Sequence, residues 1–359
     1  MRAMVLRAPR PAEDSPLRLE EVPTPVAGPG QVRIMVKACG VCHTDLHTVE
    51  GELTPRRLPL IPGHQVVGTI EQVMPRPPHP GGQPPDAGDV GSAAPGTRET
   101  GPGGPAWRPG SRVGVPWLHW ACGECEYCRR GQENLCEQAR FTGLDADGGY
   151  AEYMVAPTPF VVPIPDAFSD IEAAPLLCAG IIGYRSLRLA EVQPGETVAL
   201  FGFGASAHLA IQVARYWGCR VYVFTRSRDH QELARQLGAE WTGTAAEHAP
   251  SPADRAITFA PAGDLIPMAL RALRRGGTLA INAVHLDRIP SFDYQLIYGE
   301  RTLRSVTNST RQDAVEFMEI AARIPIRVST RVYPLEEANR ALQDLKHRTI
   351  PGAAVLQVR

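Results

Sequence analysis

Apolar positions along this chain follow one rhythm in its first part and another in its second. Residues 4–6 are a short apolar run, and across 31–38 Val32, Ile34, Val36 and Ala38 alternate with Arg33 and Lys37. Successive side chains of a strand point to opposite faces, so this alternation predicts a half-buried strand. Pro23, Pro25, Gly28, Pro29 and Gly30 mark the turn before it. Regular structure resumes at 110–115 within this β-rich part, and a further strand is predicted at 148–156. From residue 171 the period lengthens. Residues 171–189 carry a helical pattern with Cys178 in its interior, and 197–201 is a short apolar strand. An apolar helix at 209–217, a strand at 220–224 and a helix at 229–237, stopped by Gly238, follow. Strands at 256–259 and 278–281 enclose a helix at 266–273. Helices at 311–322 and 335–345 flank a strand around 327–332, and 353–358 closes the chain as a strand. Strands alternating with helices imply a parallel sheet covered on both faces, so the expected class is α/β joined to a β-rich part. No internal repeat is found.

Composition narrows the picture. At 359 residues, two domains are expected. The net charge of −1 gives no electrostatic case for nucleic acid or an anionic membrane surface. The N-terminus lacks a signal-peptide core, and no segment approaches the ~20 apolar residues of a membrane helix. The expectation is a cytoplasmic enzyme or binding protein. Residues 75–105 stand apart, since more than half are Pro or Gly and large apolar side chains are almost absent. Such a stretch cannot bury enough surface to offset its ordering entropy, so an insertion at about 75–108 is expected. A tolerated surface loop is the simpler reading, a lid or docking arm the functional one.

The cysteines add chemistry. Cys122, Cys125, Cys128 and Cys136 fall within fifteen residues. Short Cys-x-x-Cys spacings let neighbouring thiolates turn onto one tetrahedral ion. Four thiolates fill every position of Zn²⁺, so this lobe, about 118–140, reads as structural. Disulfides or free thiols are the alternative, against which stands the absence of any sign of an oxidising compartment. Cys42, His43, Asp45 and His47 crowd into six residues, and Gly63-His64 follows after a loop. Taken alone, Cys42 and His64 make a weak metal pair.

The strand at 197–201 runs into Gly202-Phe-Gly-Ala-Ser-Ala207 and then a helix. Strand, glycine turn and helix in this order form a dinucleotide site. Gly202 and Gly204 would let the backbone approach a pyrophosphate, Ala205 and Ser206 of the same turn would contact the cofactor, and Ala207 stands at the third glycine position. At the end of the second strand, where an acidic residue would favour NAD, stand Thr225, Arg226 and Arg228. A hydroxyl and two guanidiniums suit a 2′-phosphate, which favours NADP. If both arginines merely face solvent, NAD stays usable.

Gly40-Val-Cys-His-Thr-Asp-Leu-His47, Gly63-His64, the four-cysteine lobe, Ala174-Pro-Leu-Leu-Cys-Ala-Gly180 and the glycine turn occur in one order. In this the chain resembles the zinc-dependent medium-chain alcohol dehydrogenases over essentially its whole length apart from the insertion. The resemblance implies a GroES-like β-barrel catalytic domain, 1–179 and 307–359, split by a Rossmann domain at 180–306. It implies two zinc ions per subunit, a structural one in the lobe and a catalytic one on Cys42, His64 and Cys178. Three protein ligands leave a fourth position for water or substrate.

The same resemblance assigns further roles. Thr44 would bond the substrate oxygen, His47 would pass its proton towards solvent through the cofactor ribose, and His43 would sit by the pyrophosphate. Asp45 would orient His64. Leu53 and Trp117 fall where relatives line the substrate pocket, and a large aromatic there favours unbranched or flat substrates. Two departures stand out. Gln65 replaces a Glu after the ligating histidine, and Ile182 replaces a Thr near the nicotinamide. Neither removes a ligand. The implied activity is hydride exchange between an alcohol or aldehyde and a nicotinamide cofactor, in a homodimer or homotetramer joined through strands of the Rossmann domain near 292–297. A polyol dehydrogenase of the same fold, against which the third cysteine speaks, and a non-catalytic zinc-binding relative are the alternatives. Cys39 and Cys219 are expected to be buried small apolar residues.

Overall fold

Strand Thr197–Phe201, buried at every position, lies inside a six-stranded parallel sheet. Across the sheet the order is Trp241–Gly243, Arg220–Phe224, Thr197–Phe201, Ala253–Thr258, Leu273–Asn282 and Thr302–Val306, every neighbouring pair parallel. Parallel neighbours need crossovers, here including helices Ala205–Tyr216, Arg228–Gln236 and Leu265–Ala272. Helices on the faces explain the continuous apolar runs of the central strands. The chain lays strands outward on one side of Thr197–Phe201, then returns and lays them on the other. At such a reversal the carboxyl ends of the strands part and leave a crevice. This fold comes from a computed structural model, which describes residues 1–76, 107–347, 350 and 352–359. The Pro/Gly-rich stretch therefore lies almost wholly outside the described residues.

The β-rich part is a seven-stranded sheet organised on Gln31–Val41. That strand pairs antiparallel with Gln65–Met74 along most of its length, with Tyr153–Pro157 at its start and with Ala353–Gln357 at its end. Thr330–Pro334, Arg112–Val115 and Val162–Pro163 extend the sheet. Residue 353 onward thus returns to complete a sheet begun by residue 31, which explains why this part is split in sequence. The predicted alternation holds, since Val32, Ile34, Val36 and Ala38 are fully buried. Leu118–Trp120 and Arg140–Phe141 pair antiparallel and close the base of the cysteine lobe.

One apolar cluster links the two sheets. It runs from Ala38 and Val67 through Leu176, Leu177 and Ile181 to Leu200 and Val223. Its middle is the stretch expected as one helix over 171–189, and there the structure differs. Helix Asp170–Pro175, capped by Ser169 with Glu172, ends in a π-helical turn at Leu176–Gly180 before Ile181–Leu189 resumes. Pro175 supplies no amide hydrogen to the ladder, and the turn after it is widened. Gly180 is required here, because a Cβ would lie 2.3 Å from the Phe317 ring.

Three other expectations need correction. Residues 292–297 form no strand. The Asp293 carboxylate and carbonyl accept the amides of Gln295 and Leu296 and start the helical turn Gln295–Tyr298. The edge strand of the parallel sheet is Thr302–Val306 instead. The strand expected around 327–332 is displaced to Thr330–Pro334, and 335–345 opens with a tight turn at Leu335–Glu337 before helix Ala338–Lys346. Cys39 and Cys219 are both fully buried, as expected.

Candidate active site and metal centres

Antiparallel pairing brings the first two donors together. Gly40 lies opposite Gln65, so the end of one strand delivers Cys42 where the start of the next delivers His64. Cys42 caps helix His43–Glu50, its sulfur accepting the Thr44 amide at 3.3 Å. The Asp45 carboxylate closes the cap by accepting the Cys42 amide at 2.9 Å, and its other oxygen lies 2.9 Å from His64 Nδ1. His64 is fully buried and Asp45 nearly so. With Nδ1–H given to Asp45, the lone pair of Nε2 faces Cys42 Sγ at 3.3 Å. The third donor, Cys178, is turned towards them by the π-helical turn, on a segment that packs against Gln65–Met74. All three donor atoms lie within 4.8 Å of one another.

The donor set fits Zn²⁺. Tetrahedral zinc with sulfur at about 2.3 Å and nitrogen at about 2.0–2.1 Å sets a sulfur–nitrogen separation near 3.5 Å, close to that between Cys42 and His64. Without a cation the protons are trapped. The hydrogen bond with Cys178, then burial, pushes the Cys42 thiol well up. Burial opposes a proton on His64, but Asp45 and Cys42 outweigh it and raise its pKa to about 10. A divalent cation among these groups reverses that balance and releases the protons.

The second set is self-contained. Cys122 Sγ lies 3.8 Å from Cys128 Sγ and 3.6 Å from Cys136 Sγ. All four sulfurs fall within 4.8 Å. Tetrahedral zinc bound by sulfur has sulfur–sulfur edges of about 3.8 Å, whereas a disulfide closes to about 2.05 Å. Zinc geometry therefore fits and disulfides do not. Amide donors from Glu124 and Cys125 lower the Cys122 thiol to about 7. Cys125 caps the short helix Glu126–Arg129, accepting the Cys128 amide.

At the head of the parallel sheet, Gly202 adopts a left-handed φ of 88°. A Cβ there would lie 2.9 Å from Ala260, so both the turn and the close approach require glycine. Gly204 caps helix Ala205–Tyr216, and a Cβ on it would meet nothing within 4 Å. The amides of Ala205 and Ser206 thus begin a helix that opens on free space, and Ala207 is buried against the strands. Beyond strand Arg220–Phe224, Thr225 is nearly buried while Arg226 and Arg228 are exposed. Neither guanidinium has an ion-pair partner among the described residues.

Around the open donor set, Thr44 is nearly buried on the first turn of its helix and His47 is one turn further on. His43 is exposed, and its ring is 6.4 Å from that of His47. Leu53 is half-buried, its amide bonded to the His47 carbonyl. The Trp117 ring stands edge-on to His64 at 4.7 Å and stacks on Phe141 at 5.0 Å. Sequence reasoning missed several neighbours. Glu52 reaches back past Gly51 to His47 Nδ1 at 2.5 Å, and His285 lies 6.4 Å from the His47 ring. A carboxylate directly after a helix-ending glycine was the available signal for Glu52. Phe141 and Asn308, which accepts the Trp117 indole N–H at 3.1 Å, carry no local signal.

Comparisons with known proteins agree with this geometry. Residues 28–166 match the alcohol dehydrogenase GroES-like domain, and 207–323 match the zinc-binding dehydrogenase family. A probable alcohol dehydrogenase of Mycobacterium tuberculosis is 47% identical over 359 residues, spanning 100% of this chain and 97% of that protein. An alcohol dehydrogenase of Geobacillus stearothermophilus is 36% identical, with 96% of each covered. The solved structure of a thermostable alcohol dehydrogenase from Pyrobaculum aerophilum superposes with a TM-score of 0.83 at 26% identity, covering 100% of this chain and 99% of that one. The chain thus belongs to the zinc-dependent medium-chain alcohol dehydrogenase family.

Proposed function

We propose that this protein is an NADP-linked, zinc-dependent alcohol dehydrogenase that exchanges a hydride between unbranched or flat alcohols and their aldehydes. The observation that carries the reading is the buried, three-donor set of Cys42, His64 and Cys178, with Asp45 behind it and Thr44 and His47 beside it. Zinc bound there would lower the pKa of an alcohol hydroxyl and polarise a carbonyl, and the nicotinamide would take or give the hydride. Asp45 holds His64 in the tautomer that ligates. The Thr44 hydroxyl hydrogen-bonds the substrate oxygen and, as it accepts that proton, gives its own onward through the cofactor ribose to His47, which releases a proton towards solvent. His43 sits by the pyrophosphate. Trp117 and Leu53 wall the substrate pocket.

In this reading the lobe holds the second, structural zinc. Residues 1–179 and 307–359 form the catalytic domain and 180–306 the cofactor domain. The Thr225 hydroxyl and the Arg226 and Arg228 guanidiniums, which have no ion-pair partner among the described residues, support NADP, while the exposure of both arginines leaves NAD usable. The protein works in the cytoplasm as a homodimer or homotetramer. The exposed edge strand Thr302–Val306, with Leu303, Tyr294 and Tyr298 exposed near it, supports assembly through that edge. Initial rates of the zinc-loaded protein on an aldehyde panel with NADPH and with NADH test the proposal. Turnover should favour NADPH. Absence of turnover with both cofactors refutes the enzyme reading, and a preference for NADH refutes the cofactor assignment.

A further inference from the structure

Trp117 is held from three directions. Its ring meets His64 edge-on and lies flat on Phe141 at an interplanar angle of 17°. Its Nε1–H donates to Asn308 Oδ1 at 3.1 Å. The first two contacts fix the plane of the ring but leave it free to slide along Phe141. Among the contacts described for the ring, the hydrogen bond is the directional one, and from the far end of the indole it fixes the ring's position in that plane. Asn308 is distant in sequence and lies on the turn that follows the edge strand Thr302–Val306 of the parallel sheet. It has a left-handed φ of 51°, which Asn tolerates better than most residues.

The turn carrying Asn308 is itself held by the cysteine lobe. Asn134 Nδ2 donates to the Thr307 carbonyl at 2.8 Å. Glu133 accepts from Arg311 Nε at 2.8 Å, and the Arg311 guanidinium lies 5.0 Å from the centre of the Phe160 ring. Glu133 and Asn134 both fall between Cys128 and Cys136. A chain of direct contacts therefore runs from the closed lobe through residues 307–311 to Trp117 and the buried face of His64.

We propose that Asn308 is a positioning residue for substrate selection: by fixing the Trp117 indole it sets the width of the pocket beside His64, and the four-cysteine lobe holds it in place. The inference rests on the reading of Trp117 as a pocket wall. Releasing the indole should admit branched and bulky alcohols while leaving linear ones nearly unaffected. The lobe then has a consequence for specificity as well as for stability.

Asn308→Gly keeps the left-handed backbone and removes only the acceptor, so the variant is expected to fold. Asn308→Asp keeps an acceptor oxygen. Trp117→Phe removes the donor and keeps the stack on Phe141. Each is compared with wild type by kcat/KM on a linear and a branched primary alcohol. Indole ¹⁵N–¹H spectra are recorded on protein with its five tryptophans labelled. Asn308→Gly should raise the branched-to-linear ratio about three- to tenfold, the worth of one hydrogen bond. It should also shift the indole resonance that Trp117→Phe deletes. Asn308→Asp should keep both near wild type, and combining Asn308→Gly with Trp117→Phe should add nothing. Asn134→Ala should move the ratio in the same direction by less, and an unchanged ratio there overturns the lobe's part. If Trp117→Ala changes the ratio but Asn308→Gly does not, the positioning role is wrong while the pocket wall stands. If Trp117→Ala changes nothing, the pocket wall is wrong and the inference falls with it.

Discussion

The two cysteine-bearing sites share a local device and differ in everything around it. In each, a cysteine caps a helix and its sulfur accepts a backbone amide: Cys42 for His43–Glu50, Cys125 for Glu126–Arg129. That position lends the partial positive charge of the helix start to a thiolate. From there they diverge. The lobe takes four donors from fifteen consecutive residues and leaves most of them half-exposed. The other site takes three donors from a strand end, a strand start and a π-helical turn, and buries its histidine completely. A site closed by its own local chain can only brace. A site assembled from distant segments can leave a direction unfilled, because the fold decides which groups point inward.

The largest expected effect separates the two directly. Cys42→Ser should lower kcat about a thousandfold or more, the scale of the several kcal/mol a Lewis acid supplies. Its thermal midpoint should stay within a few degrees of wild type, as judged by calorimetry. Cys125→Ser should do the reverse. It should cost several kcal/mol of stability, since metal binding in such a loop is coupled to its folding. The folded fraction should keep near-normal turnover on linear alcohols. Equal heat stability of Cys125→Ser and wild type would remove the lobe from its bracing role. Asp45→Asn comes next. It should keep the fold and weaken metal retention or activity about 10- to 100-fold, measured by competition with a chelator.

The smallest effect concerns acid. His119, on the strand at the lobe's base, is held neutral by burial and then by the nearby positive charge of Arg140, which lower its pKa to about 4. An unfolded chain would protonate it near 6.5. The sign follows: its contribution to stability is complete above pH 6.5 and is lost as pH falls towards 4. His208, in the first helix of the parallel sheet, is buried with the same shift and acts in the same window. Between pH 7 and pH 5, His119→Asn should lose about 2 kcal/mol less stability than wild type, measured by urea unfolding at both values. An identical loss in both would show that His119 is not buried neutral.

How much of each region could be read in advance follows the same division. The lobe was legible because its ligands are neighbours in sequence, and spacing alone implies the ion. The dinucleotide turn was legible from the order strand, glycine, helix. Cys178 was not legible from its surroundings, since Leu176, Leu177 and Ile181 make the stretch look like any buried helix. It was identified through family resemblance, and the π-helical turn that aims it is a departure from the expected continuous helix. The edge strands Trp241–Gly243 and Thr302–Val306 escaped notice because the first is three residues long and the second is mostly exposed. Asn308 and Phe141 matter only through contacts that folding creates, whereas Glu52 follows the helix-ending Gly51 and was legible there.

In the proposed function the chain carries two separable metal sites with different work. Zinc per chain, measured by elemental analysis on purified folded protein, tests it most directly. Wild type should hold two ions, one for each donor set, and Cys42→Ser one, with the lobe still resistant to mild chelation. A single ion in wild type, or loss of both ions on replacing Cys42 alone, would contradict it.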